Sequence, residues 1–330
     1  MYVNGVFEGG GVKAIALAGA IKAAEEHGVK FRQVAGTSSG AIVASLLAAG
    51  YTADELKKII METPFSDFLV QSWLHQLPVI GPAARILIKK GLYSGQRLEQ
   101  WMADKLAAKG VRTFADLPKG KLKIIASDIS QGKLLVLPDD IAQYGIDPKQ
   151  LLVAKAVRMS TSIPYFFDPV VLRKTAKQRK KGDSFADQFI YIVDGGLLSN
   201  FPLWIYDEEN SKIPEKDQIP TLGFHLVGKQ SNAPRRIIGP LSMFQALFAT
   251  MMEAHDERYI EEKNRFRTIK IPTLGVRLTD FDIKPEKSLE LFNAGYAAAK
   301  SYFQKWSHQK YIQSFNQHIR NGGGNTNRPA

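Results

Sequence analysis

The sequence predicts an α/β protein: a three-layer, mainly parallel sheet flanked by helices, with a helical, lid-like insertion. Three observations carry this. Residues 2–50 alternate strand and helix twice, the opening of a parallel sheet with helices laid over it. Further apolar, strand-like runs recur between helical segments as far as residue 306. The 330 residues, 45% hydrophobic and 23% charged, are enough to bury a substantial core. One domain is expected over residues 1–320, with the insertion at 63–94. The low-complexity tail "NGGGNTNRPA", residues 321–330, is expected to be disordered.

Residues 2–8 read as the first strand and end in a glycine run. "VKAIALAGAIKAAEEHG" has helical apolar spacing and stops at Gly28, a natural C-terminal cap. "FRQVAG" is a second strand and "SGAIVASLLAAG" a second helix. In "TADELKKIIME", Thr52 followed by Glu55 is a capping box. "SGQRLEQWMADKLAAKG" reads as a helix, "LKIIASDIS" and "KLLVLPD" as strands, and "DPKQLLVAKAVRMSTSIP" as a helix running into a turn. "YFFDPVVL", "FIYIVDGG" and "IPTLGFHLVG" read as strands. A long helix follows over 239–264, then an edge strand "FRTIKIP" and a last helix "KSLELFNAGYAAAKSYFQKW".

There is no cysteine, which excludes disulfides, thiolate catalysis and cysteine metal sites. The formal charge of +12 points to an anionic partner: nucleic acid, a membrane surface or an acidic substrate. The longest uncharged stretches, Phe68–Ala84 and Ile237–Met252, fall short of the roughly 20 apolar residues of a spanning helix. The first residues lack the basic and long apolar regions of a secretory signal, so a cytoplasmic or peripheral-membrane location is expected, with export by another route left open.

Gly36-Thr37-Ser38-Ser39-Gly40 fits G-x-S-x-G, with a strand before it and a helix after it. In such an elbow the serine sits on a strained turn with its hydroxyl projecting, and the helix N-terminus favours a developing anion. The bland alternative is a turn rich in small residues. Ser39 is a competing hydroxyl without symmetrical glycines.

Gly9-Gly10-Gly11 leaves amides open at the start of the first helix, suited to an anion. One use is an oxyanion hole. The other is a dinucleotide-phosphate turn, since residues 9–14 also fit G-x-G-x-x-A. That use wants an acid at the end of the second strand, where "QVAGTSSG" has none. The two turns explain each other best as nucleophile and oxyanion hole, with Lys13 adding positive charge or lying solvated.

A serine nucleophile needs a base. None of His27, His75, His225, His255, His308 and His318 sits at a strand-end loop as a triad histidine would; His225 lies within a strand. The better candidate is Asp194, delivered by an apolar strand to a Gly-Gly turn, although Asp-Gly turns are common.

In these residues the chain resembles the patatin-like phospholipases. The resemblance rests on Gly9-Gly10-Gly11-Val12-Lys13, on Gly36–Gly40, on Asp194-Gly195-Gly196 and on the Ser-rich, Pro-bounded "VRMSTSIPYFFDPV", in that order and spacing. It spans roughly residues 2–205, with a weaker echo in "FNAGYAAAK". Ala14 departs from it, since many members have glycine after the Lys or Arg. The resemblance implies a serine esterase of phospholipase A type that degrades phospholipids or lysophospholipids. It implies a Ser38–Asp194 dyad without histidine. The amides of Gly10 and Gly11, and in some measure Gly9, would hold the oxyanion. No cofactor and no metal are expected. An aspartate with an ordinary pKa near 4 is a poor base at neutral pH, so a water-excluding site that raises it is expected. Two other readings stay open, a nucleotide-phosphate-binding protein and a non-catalytic lipid-binding relative. No aromatic-plus-basic motif favours nucleic acid.

Two segments suit a lipid interface. "FLVQSWLHQL" would put Val70, Trp73, Leu74 and Leu77 on one helical face, as a mobile lid or a core helix. "RKTAKQRKK", Arg173–Lys181, would attract anionic headgroups or lie solvated.

Overall fold

The computed structural model describes residues 1–69, 89–175, 184–228, 262–277 and 282–320, with 178–179, 181–182, 237–239, 242–244, 246–251 and 280 between them. Most of the expected insertion, including the apolar face of Val70, Trp73, Leu74 and Leu77, lies outside the described residues, as do His75, His255, part of the basic run and the tail 321–330.

The opening runs as the spacing requires. Tyr2–Phe7 forms β1, Ala14–Glu26 α1, Lys30–Thr37 β2 and Ser39–Ala48 α2. α1 ends at Gly28, whose φ of +72° turns the chain back. Ala53–Glu62 is α3, started by a complete Thr52–Glu55 capping box. Gly91–Tyr93 is β3, Gln96–Ala107 α4, Leu122–Asp128 β4 and Lys133–Leu137 β5. Val153–Ser160 is α5. "YFFDPVVL" is two strands rather than one. Tyr165–Phe167 (β6) pairs with β3, and Val170–Arg173 (β7) joins the main sheet. Pro169 between them has no N–H for a ladder. Phe189–Asp194 is β8, Asp207–Lys212 α6, Thr221–Val227 β9 and Thr268–Pro272 β10. Of the expected long helix, 242–244 and 246–251 are helical, 252–261 lie outside the described residues, and Glu262–Arg267 is a 3-10 helix. Pro285–Lys305 is α7, and His308–Phe315 is α8, which the sequence reading missed together with β3.

The central sheet runs β10-β9-β1-β2-β4-β8-β7, with β5 also on β4. From β10 to β4 every pairing is parallel; β5, β8 and β7 pair antiparallel. Alternation along the strands makes two apolar faces. Val3, Phe7, Val34 and Ile124 join the large core under α1, α2, α3 and α7. Val6, Ala35 and Ile125 join a smaller one covered by Phe201, Leu203, Ile205 and Tyr206. α1 and α7 meet backbone to backbone: a Cβ on Gly19 would lie 1.9 Å from Phe292 O, and one on Gly295 1.9 Å from Ala16 O. Gly295 belongs to the "FNAGYAAAK" segment.

One feature of the register positions the site. β5 occupies one edge of β4 from Ile124 to Asp128. On the other edge β2 pairs as far as Thr37 opposite Ile125, and β8 takes over with Asp194 opposite Ala126. The C-terminal ends of β2 and β8 thus run head-on into each other, which brings the residues after Thr37 towards Asp194.

Candidate active site

Ser38 is buried at φ +54°, ψ −125°, a backbone region that a non-glycine residue occupies only when its surroundings force it. The forcing is visible in its glycines. A Cβ on Gly36 would sit 2.2 Å from Gly40 O, and one on Gly40 2.2 Å from Phe7 O. β2, α2 and the end of β1 can approach this closely only without side chains there. Ser39 begins α2, so Ser38 sits at a helix N-terminus, a place that favours negative charge.

Asp194 is 0% exposed. Burial raises its carboxyl pKa most; hydrogen bonding from the Ser38 hydroxyl and the Gly196 amide pulls it down, and the balance stands at about 7. Oδ1 accepts from Gly196 N at 2.8 Å. Oδ2 has no partner that meets full hydrogen-bond geometry, although the Ser38 hydroxyl is near enough to lower the carboxyl pKa. Resting catalytic pairs are often loose in this way.

The glycine turn abuts the elbow: a Cβ on Gly9 would lie 3.0 Å from Ser38 Cβ. Its amides are not equally open. Gly9 N donates to Asn200 O at 3.3 Å and Gly10 N to Ser39 Oγ at 2.9 Å. The Gly11 amide, at φ +57°, has no such partner among the described residues. Lys13 folds back along the turn, its Cε 3.3 Å from where a Cβ on Gly10 would stand.

The patatin-like phospholipase pattern matches residues 5–206 as one continuous stretch, from the glycine turn through Asp194 and beyond. The chain belongs to the patatin-like phospholipase family. Membership makes it a lipid hydrolase, with lipid as its substrate class. Over 309 residues it is 40% identical to the protein YqhO of Bacillus subtilis, covering 93% of this chain and all of that one. Over 216 residues it is 26% identical to the protein R571 of Acanthamoeba polyphaga mimivirus, 63% of each chain. Its fold is similar to the crystal structure of VipD from Legionella pneumophila, at a TM-score of 0.51 and 18% identity, over 96% of this chain and 67% of that one.

Within this patatin-like site, several residues make contacts that the sequence reading did not assign, although Arg158, Ser160 and Ser162 lie in the Ser-rich stretch it singled out. Ser160 Oγ accepts from Ser38 N at 2.9 Å and donates to Ile125 O at 2.6 Å. Two residues on, Ser162 O accepts from Asp194 N at 2.9 Å. The stretch "STS" at the end of α5 therefore grips the backbone of both candidate residues. Arg158, buried in the same stretch, donates to Ser162 Oγ and to the carbonyls of Ser94 and Asp168. Thr37 Oγ1 donates to Ser199 O at 3.0 Å. Asn200 Nδ2 donates to Glu8 Oε1 at 3.0 Å and to Gly9 O at 3.2 Å. Glu8 Oε2 accepts from Leu226 N and lies 2.6 Å from His225 Nδ1. His225 is thus a buried partner of Glu8 on a strand face. Of the other described histidines, His27 stacks on Phe303 and His318 lies by Phe266. A signal was present: small polar residues beside Pro164, and Asn200 just before Phe201-Pro202. Nothing in the sequence paired them.

Proposed function

We propose that this lipid hydrolase is a serine esterase of phospholipase A type, cleaving carboxylic esters of phospholipids or lysophospholipids with Ser38 as nucleophile and Asp194 as its base. The observation that carries the reading is the buried Asp194 carboxyl, held near pH 7 by burial and acted on by the Ser38 hydroxyl. An acid poised there can both take and return a proton at neutral pH.

Ser38 Oγ attacks the ester carbonyl while its proton passes to Asp194. The carbonyl electrons move to oxygen, and the charge is met by the Gly9–Gly11 turn and the N-terminus of α2. Of the turn's amides, Gly11 is uncommitted among the described residues, and those of Gly9 and Gly10 hold the turn's shape. Collapse breaks the bond to the leaving alcohol, which takes the proton from Asp194. Water, deprotonated by the same carboxylate, then releases the acyl group from Ser38.

An apolar cluster supports a lipid substrate. Ile163, Phe166, Phe167 and Phe248 pack together with Leu197, three residues after Asp194, and with Leu69, Tyr93 and Phe244. An acyl chain fits such surroundings. Helical residues 242–244 and 246–251 place Phe248 inward at 2% exposure, while Met243, Leu247 and Met251, four apart, face out with Ile237 and Ile238. Ile238 is 77% and Leu247 54% exposed. Such a patch marks an interaction surface. Its continuity with the apolar cluster, and Arg235-Arg236 just before it in a chain of charge +12, favour an anionic lipid surface.

Hydrolysis of a short-chain ester and of a phospholipid is measured for wild type, Ser38→Ala and Asp194→Asn. Loss of activity in both variants, with fluorophosphonate labelling lost only in Ser38→Ala or slowed in Asp194→Asn, is the expected result. Full activity in either variant refutes the dyad.

A further inference from the structure

The hydrogen bond from Gly10 N to Ser39 Oγ changes what the oxyanion hole is made of. Both residues are buried, and Gly10 follows the glycine that touches Ser38. Ser39 directly follows the nucleophile at the first position of α2. Its oxygen therefore lies between the glycine turn and the elbow. While that bond stands, Gly10 has no proton to offer.

A hydroxyl has one proton to donate besides its lone pairs. Ser39 Oγ accepts from Gly10, and its own proton has no acceptor among the described residues. Resting on the reading of Ser38 as nucleophile, we propose that the Ser39 hydroxyl is itself an oxyanion donor, polarised from behind by the Gly10 amide. As the Ser38 Oγ–carbon bond forms and the carbonyl electrons collect on oxygen, Ser39 O–H and Gly11 N–H donate to that oxygen. No proton leaves Ser39. The chain N–H to O–H to oxyanion strengthens each bond in it. The second serine of "GTSSG" thereby has a chemical use, and Gly10 acts through it rather than directly.

The alternative is that Ser39 merely occupies the Gly10 amide and must swing away. Ser39→Ala separates the two. The full chain carrying Ser39→Ala or Ser39→Thr is compared with wild type on a soluble short-chain ester, with Ser38→Ala as the blank and thermal unfolding recorded for each. Expected for Ser39→Ala is a kcat lower by roughly 10²-fold with KM within about twofold, the usual effect of deleting one donor. Ser39→Thr, which keeps the hydroxyl, retains most of kcat. An unchanged or raised kcat in Ser39→Ala overturns the proposal, because freeing Gly10 would then suffice. So does a shared loss of Tm and kcat that threonine does not restore, which would assign Ser39 a structural role. A wild type no faster than Ser38→Ala defeats the nucleophile reading itself, an outcome distinct from an active wild type indifferent to residue 39.

Discussion

Asn200 and Gly9 are bonded to each other in both directions. The Gly9 amide donates to the Asn200 carbonyl at 3.3 Å, and Asn200 Nδ2 donates to the Gly9 carbonyl at 3.2 Å. Through this pair the loop that leaves Asp194 is latched to the turn that faces Ser38. The same side chain reaches Glu8, so one amide ties the candidate base loop to the glycine turn and to the buried carboxylate behind it.

Removing the latch should loosen the turn without touching substrate. Asn200→Ala leaves the Gly9 carbonyl and one Glu8 oxygen short of a donor in a buried setting, a cost of about 1–3 kcal/mol. The expected outcome is a lowered urea midpoint and a kcat reduced about tenfold or more, with KM little changed. Wild-type kcat in a folded Asn200→Ala protein would show that the turn holds its shape unaided.

On the proposed mechanism the carboxyl of Asp194 sets the pH dependence. As a base it works only when ionised, so kcat/KM should rise through about pH 7 rather than about pH 4. Stability should run the other way. The folded pKa of about 7 lies above the ordinary 3.8, so the native state keeps a proton that the unfolded chain sheds between those values. The contribution is full at low pH and is lost as pH rises through 7. Asp194→Asn is therefore expected to be more stable than wild type at pH 8, by at most about 4 kcal/mol, with the difference shrinking toward pH 4. Urea titrations of both proteins at the two pH values check the sign.

The exposed apolar residues of 237–251 should matter only at an interface. Substituting Ile238→Asp and Leu247→Asp together is expected to weaken binding to anionic vesicles and to slow hydrolysis of vesicle phospholipid at least tenfold. Cleavage of a soluble short-chain ester should stay within about twofold. Equal binding of wild type to neutral and anionic vesicles at low salt would remove the electrostatic part of this reading.

Much of the site was legible because it is local. The glycines around Ser38 and the Gly28 and Thr52 helix boundaries follow from backbone and cap chemistry that a few adjacent residues specify. Asp194 was legible as a strand-end acid. A water-excluding setting that raises its pKa was expected of a base; which chain buries it was not legible, since that chain comes from elsewhere in the fold. β3 went unread, and β6 was run together with β7, because three-residue strands carry no useful periodicity and these two pair only with each other.

Sequence alone determined the alternation of strand and helix, the strained corner at Ser38 and the family, because each is written in contiguous residues whose spacing matches a backbone geometry. Tertiary structure alone decided which groups hold that corner and which amides are spent. Ser38 is held by Ser160 from 122 positions away, and Glu8 by Asn200 from 192. The choice between a Gly10 amide that faces substrate and one that backs Ser39 was made the same way. Hydrogen-bond partners this far apart are selected by how sheet and helices pack, and packing is a property of the whole fold rather than of any stretch of chain.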